Sequence, residues 1–414
     1  MSPFDFLAFI LLLAAAIGVL NESTARLPPA IALLLGSIAV SLLLLAVDAS
    51  GVLPTRAWVR GVLDAADLPH VFLDGVLALL LFAGSLHASI RELRDNQRLI
   101  FSLATASVII STGLFAGAIW LVCLLSGAQV PLAWCGVMGA ILAPTDAVVV
   151  DTLLGRLPLS PRLRAAITGE SLFNDGAGVV MFGIMVALAG GQRGLLGHGR
   201  VALALLAAGL GGAAVGAACG WFAGLLARRR ADLALQVTIS VALAISSYRL
   251  ADALGVSGPI AVVSAGLALG RMVPSFSAQA GEASVAVAFW SMLDGLLNTM
   301  LFLLLGLQVV DLSYGRVALV PVLLAIPVAV ATRLVSVAVP ALLRRGRMRD
   351  KVGSMVVLTW AGLRGGVSVA LALIVPDSPY RDQLLAICYA VVVFTIVVQG
   401  LTLPRVVERF ARGR

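Results

Sequence analysis

The chain has 414 residues, of which 60% are hydrophobic and only 12% charged, and its mean hydropathy is +1.05. A soluble domain carries about 25% charged residues, so these values exclude a soluble enzyme or binding module and describe an integral membrane protein. Apolar runs of the ~20 residues that cross a ~30 Å hydrocarbon core as helix recur along the chain, without the ~10-residue alternation of barrel strands, so the fold class is all-α and polytopic.

In chain order the runs predict spans over 4–20, 28–47, 71–88, 99–125, 132–154, 165–189, 201–227, 232–248, 257–270, 284–309, 317–342, 352–375 and 383–403, thirteen in all. The first run lacks a basic leading region and a small-x-small cleavage site, so it reads as a retained helix. Between 245 and 275 the pattern is interrupted by Asp252, Gly255, Gly258 and Pro259, which leaves the helix boundaries there open. No low-complexity linker divides the chain, and residues 1–414 read as one membrane domain with no soluble part.

Lys and Arg collect in cytoplasmic loops. With the N-terminus outside, thirteen spans put twenty of the 29 basic residues in inward loops and seven in outward ones. An even number of spans would scramble that asymmetry, so the expected placement is a cell membrane, with the N-terminus outside and the C-terminus cytoplasmic. The remaining two basic residues, Arg333 and Arg364, fall inside spans and require partners there. The net charge of +8 is thus a topology signal and an attraction to anionic lipid; with no basic patch interleaved with aromatics, nucleic acid is not an expected partner. Cys123, Cys135, Cys219 and Cys388 lie in spans without CxxC spacing and read as packing residues. His70, His87 and His198 fall near span ends or in loops.

Three stretches carry polar groups at membrane depth, where an ionised side chain costs roughly 3 kcal/mol or more. In GAILAPTDAVVVDTLLG (139–155) Pro144 has no amide hydrogen and clashes with the carbonyl of Ala140, so the fifth span should kink or unwind before Thr145 and Asp146. Broken backbone at this depth is tolerated where it lines an enclosed or watery cavity. In TGESLFNDGAGVV (168–180) Glu170 and Asn174 share one helix face and Ser171 and Asp175 the adjoining one. Counting along the helices places Asp146 about 21 Å from the outer edge and Asp175 about 15 Å from the inner one, so the two carboxylates can meet near the middle of a ~30 Å core. In TWAGLRGGVSVALAL (359–373) Gly362, Gly365 and Gly366 weaken the helix around Arg364, for which Glu170 is the expected anion. The fifth and twelfth spans run in opposite directions, as broken helices of an inverted repeat do, although no sequence repeat joins the halves.

APTDAVVV, GESLFNDGAGVV, NTMLFLLLGLQ and TWAGLRGGVSVALAL, in this order and spacing, closely resemble the NhaP-type sodium/proton antiporters of the cation/proton antiporter superfamily, over nearly the whole chain. The resemblance implies a thirteen-helix fold with a core ion-binding bundle (here roughly 99–190 and 284–375), a scaffold that forms a homodimer, and elevator-like alternating access. It implies that Asp175 carries the exchanged ion or proton, that Thr145 and Asp146 line the same site, that Ser171 adds an oxygen ligand, and that Glu170 and Arg364 form a structural ion pair. Two departures stand out. Many relatives have proline after the Thr-Asp pair, where this chain has Ala147, and some carry a glutamate after the Leu-Leu-Phe run, where it has Ala83.

Burial disfavours the charged form of a carboxylate, and a cation held by the same oxygens restores it. Na⁺ and H⁺ then compete for one group, and exchange follows if the site crosses only when occupied. The neutral Asn174 beside Asp175 leaves fewer titrating groups than a pair of aspartates would, so the expected exchange of Na⁺ or Li⁺ for H⁺ is electroneutral, with no cofactor beyond the transported ions. K⁺/H⁺ exchange is the nearest alternative. An intramembrane aspartyl protease would also use two aspartates, but its Gly-x-Gly-Asp and Pro-Ala-Leu contexts are absent, and a passive channel fits a single buried titratable site less well.

Other polar positions leave alternatives open. Asp151 lines an inner funnel or sits at a solvated helix end, and Asp74 falls near the outer interface. Asp294 and Asn298 either belong to the core bundle or pair with each other, with Arg333 satisfying one of them. Gly212, Gly216, Gly220 and Gly224, four residues apart, let another helix approach closely, within the bundle or at a dimer seam.

Overall fold

The computed structural model describes residues 3–51, 75–88, 95–146, 150, 159–191, 200–228, 232–276, 284–307, 317–343 and 348–411. Asp74, His70, His198, Ala147, Asp151 and most of the loop arginines of the topology count lie outside the described residues. Among those described every regular element is helical.

The helices are α1 (Pro3–Ser23), α2 (Pro29–Ala49), α3 (Leu77–His87), α4 (Gln97–Ala104), α5 (Ala106–Leu125), α6 (Leu132–Ile141), α7 (Pro161–Ala189), α8 (Arg200–Ala227), α9 (Leu233–Ala253), α10 (Gly258–Met272), α11 (Val285–Leu307), α12 (Leu319–Leu343), α13 (Met348–Trp360), α14 (Gly366–Leu373), α15 (Arg381–Phe394) and α16 (Gly400–Ala411). A single π turn, Thr395–Gln399, joins the last two. Local chemistry sets many of the starts: Pro29, Pro161 and Pro259 occupy first-turn positions where no amide is needed, and Ser160, Asp232 and Ser257 cap α7, α9 and α10 through their side chains.

Eight described helical stretches are long and apolar enough to cross a membrane by themselves. Others are shorter or broken, and the breaks fall where the sequence marks them. The fifth predicted span loses its helix at Ile141, three residues before Pro144, and the twelfth splits into α13 and α14 around Gly362–Gly365. The ambiguous 245–275 stretch becomes two helices: α9 runs five residues beyond the predicted 248, and Gly255 at φ +68° closes it with Val256 N–H donating to the Ala251 carbonyl.

Two apolar clusters organise the bundle. One gathers α1, α2, α4–α7, α12–α16 and the C-terminal half of α11. The other gathers α3, α9, α10, the end of α8 and the N-terminal half of α11 around Trp290 and Phe82. Leu12, Leu125 and Leu210 are exposed on the outside of the bundle, the arrangement a lipid-facing surface requires. The four-residue glycine row serves packing within this chain: α8 lies so close to α10 that a Cβ at Gly216 would fall on the backbone of Ala261, and one at Gly220 on that of Ala265.

Candidate functional site

The site begins with the orphaned backbone groups of two helix breaks, since the last four carbonyls of a helix have no partner within it. After α6 the chain runs without helix through Pro144, Thr145 and Asp146, and before α14 it is unwound at 362–365. The two unwound segments cross, and Asp146 N–H donates to the Leu363 carbonyl at 2.8 Å. At Gly365 a Cβ would fall on the Asp146 carboxylate, so only glycine allows this approach.

Each break is compensated by the other. Arg364, 2% exposed, donates through Nη1 to the carbonyls of Ala143 (2.7 Å) and Pro144 (2.8 Å), which places its charge at the negative C-terminal end of α6. Conversely, the positive N-terminal end of α14 faces the Asp146 carboxylate. Arg364 is held in turn by the π turn, where Thr395 Oγ1 accepts its backbone N–H at 3.2 Å. A one-turn π element at such a position is characteristic of functional sites, and nothing in the periodicity of the sequence marks it.

Helix α7 closes the third side. Asn174 Nδ2 donates to Thr145 Oγ1 at 2.8 Å, and its Oδ1 accepts the Thr145 N–H at 3.3 Å. Ser171 Oγ donates to the Thr145 carbonyl at 2.5 Å. The expected set divides accordingly. Thr145, Asp146, Ser171 and Asp175 line one cavity of about 470 Å³, whereas the Asn174 amide is engaged by Thr145 and does not line it. Asp175 is 7% exposed, and its Oδ1 has no hydrogen-bond partner among the described residues.

The ion pair differs from the expectation. Glu170 meets Arg333 of α12: Nη1 bonds Oε1 and Nη2 bonds Oε2 at 3.0 Å, with both side chains buried. Nη2 also donates to the Leu358 carbonyl at 3.3 Å. Arg364 therefore does not pair directly with Glu170, and Arg333 does not serve Asp294 or Asn298. The physical reason is that Arg364, lying within one break, finds the orphaned carbonyls of the other at hand. Glu170, one turn below Asn174 on α7, faces α12 instead. Two intramembrane arginines and one buried glutamate are visible in the sequence, but which arginine meets the glutamate depends on helix adjacency.

Asn298 Nδ2 donates to the backbone carbonyl of Asp294 at 3.0 Å, and Asp294 Oδ1 has no partner among the described residues. Both residues line the same cavity, opposite α7, together with Leu77, Leu80 and Leu81 of α3. Ala83 is fully buried, so α3 brings no carboxylate at that position.

Known proteins match this chain over nearly its whole length. The profile of the family described as sodium/hydrogen exchanger, transmembrane, matches residues 8–409. The Na⁺/H⁺ antiporter NhaP of Pseudomonas aeruginosa is 32% identical over 99% of this chain and 97% of its own length. The Na⁺/H⁺ antiporter NhaH of Halobacillus dabanensis is 29% identical over 98% and 97%. The solved structure of the sodium proton antiporter MjNhaP1 from Methanocaldococcus jannaschii at pH 8 superposes with a TM-score of 0.75 over 99% of both chains, at 17% identity, and shares the fold. Two crossing helix breaks, a buried aspartate facing a cavity and a family match across almost the whole sequence lead to one conclusion: the chain belongs to the sodium/hydrogen exchanger family.

Proposed function

We propose that the protein is a secondary transporter, not an enzyme, exchanging Na⁺ or Li⁺ for H⁺ across the cell membrane by alternating access. The observation that carries this reading is the Asp175 carboxylate, buried at the crossing of two helix breaks with one oxygen unpartnered among the described residues and facing the cavity. Asp175, Asp146, Thr145 and Ser171 hold the dehydrated cation, and a proton on the carboxylate displaces it. Asn174 positions Thr145 and keeps the pair at one titrating aspartate, so exchange is one-for-one and electroneutral. Glu170–Arg333 and Arg364 act as structural charges.

The same reading takes thirteen crossings with the N-terminus outside and the C-terminus cytoplasmic, a homodimer in the lipid bilayer, and no bound cofactor. Residues 99–190 and 284–375 form the moving core against the remaining scaffold helices. The test uses purified protein in proteoliposomes carrying an imposed pH gradient. NaCl or LiCl should dissipate the gradient and choline chloride should not. A response to K⁺ at lower concentrations than to Na⁺ would replace the substrate, and no response to any cation would end the reading. Transport that varies with imposed membrane voltage would refute electroneutrality.

A further inference from the structure

Ser368 stands three residues past Gly365, in the first turn of α14, 1% exposed and on the wall of the same cavity as Asp146 and Asp175. Several buried serines in the helices of this chain return their hydroxyl to the carbonyl three residues earlier, Ser37 to Leu34 at 3.0 Å, Ser85 to Phe82 at 2.6 Å and Ser336 to Arg333 at 2.9 Å, while Ser41 and Ser171 donate to carbonyls of other segments. Ser368 has no such bond. The carbonyl three residues back belongs to Gly365, which is extended (φ −127°, ψ −153°) at the end of the unwound segment and accepts the Val369 N–H at 3.4 Å. Ser368 Oγ therefore has no hydrogen-bond partner among the described residues, although buried hydroxyls almost always have one.

We propose that Ser368 Oγ is a further oxygen ligand of the transported cation, supplied by the second broken helix; the proposal rests on the exchange reading of the Asp175 site. Thr145 and Asp146 approach the cavity from the first break, Ser171 and Asp175 from α7, and Ser368 from α14. A cation gripped from both breaks is surrounded by oxygens, which a dehydrated monovalent ion requires. A proton needs only one carboxylate oxygen. Ser368 thus separates the two substrates: its hydroxyl contributes to cation affinity and not to proton binding.

The experiment compares the full-length chain with Ser368→Ala and Ser368→Thr in proteoliposomes at alkaline pH, where protons compete least. The apparent KM for Na⁺ should rise about fivefold to tenfold in Ser368→Ala, which is about 1.0–1.4 kcal/mol for one neutral oxygen contact, with Vmax unchanged. Ser368→Thr, which keeps the hydroxyl, should return KM toward the wild-type value. The NaCl concentration giving half-maximal thermal stabilisation should move with KM, and it reports binding even in a variant that transports poorly. An unchanged KM and unchanged stabilisation in Ser368→Ala overturn the proposal, as does a loss of Vmax and melting temperature that Ser368→Thr does not restore. Absence of cation-driven exchange in the wild-type protein would instead sink the exchange reading, so the two failures are distinct.

Discussion

Neutralising Glu170 tests the charge framework most directly. The pair it makes with Arg333 is bidentate and lies almost wholly out of solvent, at 1% exposure for the glutamate and 5% for the arginine. Glu170→Gln removes the counter-charge and leaves the buried guanidinium with at most one bond to the amide oxygen and the bond from Nη2 to the Leu358 carbonyl. Stranding a buried charge in this way costs about 3–5 kcal/mol, a large share of the ~5–15 kcal/mol that holds a folded protein together. The melting temperature in detergent, followed by the fluorescence of the six tryptophans, should fall by many degrees. Adding Arg333→Gln removes the stranded charge, and the double variant should recover a large part of the loss, with a coupling energy of about 1–3 kcal/mol in the cycle. The parallel cycle with Arg364→Gln should show much weaker coupling, because that arginine is bonded to the Ala143 and Pro144 carbonyls. Additive losses for Glu170 with Arg333, or strong recovery with Arg364, would refute the pairing.

Three further outcomes follow from the same geometry. Asp175→Asn should yield a folded protein with a near wild-type melting temperature and no Na⁺-dependent dissipation of a pH gradient; retained exchange would remove Asp175 from its role. Gly365→Ala forces a methyl onto the Asp146 carboxylate, a strain of about 1–3 kcal/mol, and should abolish cation-driven exchange while the protein stays folded; wild-type exchange in this variant would show that the breaks do not meet as described. Gly216→Val drives a side chain into the Ala261 backbone and should destabilise the α8–α10 contact, seen as a lower melting temperature and loss of a monodisperse peak on size exclusion, whereas unchanged behaviour would place the glycine row outside the packing of the monomer.

Much of this architecture was legible along the chain because the bilayer constrains it so strongly. Lipid offers backbone amides no partners, so a lipid-exposed span must bond within its own helix; the apolar runs therefore already mark the helices, and Pro144 and Gly362–Gly366 already mark where helices stop. The polar residues of the cavity were legible for the same reason, since Asp146 and Asp175 would be too costly at that depth without a purpose. The π turn at 395–399 was not legible, because the segment is apolar on nearly every face and so has no polar stripe whose register an extra residue could shift. Asp294 could be named but not placed, because one carboxylate on a long apolar helix can face a neighbour, a cavity or a loop.

The amino-acid sequence by itself determined the helical membrane class, the positions of both breaks and the identity of the charged residues, since each follows from local backbone chemistry and the expense of burying polarity. Tertiary structure alone decided who meets whom. Glu170 meets Arg333 because the long arginine side chain reaches it from α12, Arg364 serves the carbonyls of α6 because the two breaks cross, and Asp294 and Ser368 share a cavity with Asp175 because helices remote in sequence close around it. Such pairings depend on relative helix rotation and adjacency, which are set by side-chain packing across the whole bundle and leave no trace in any one segment.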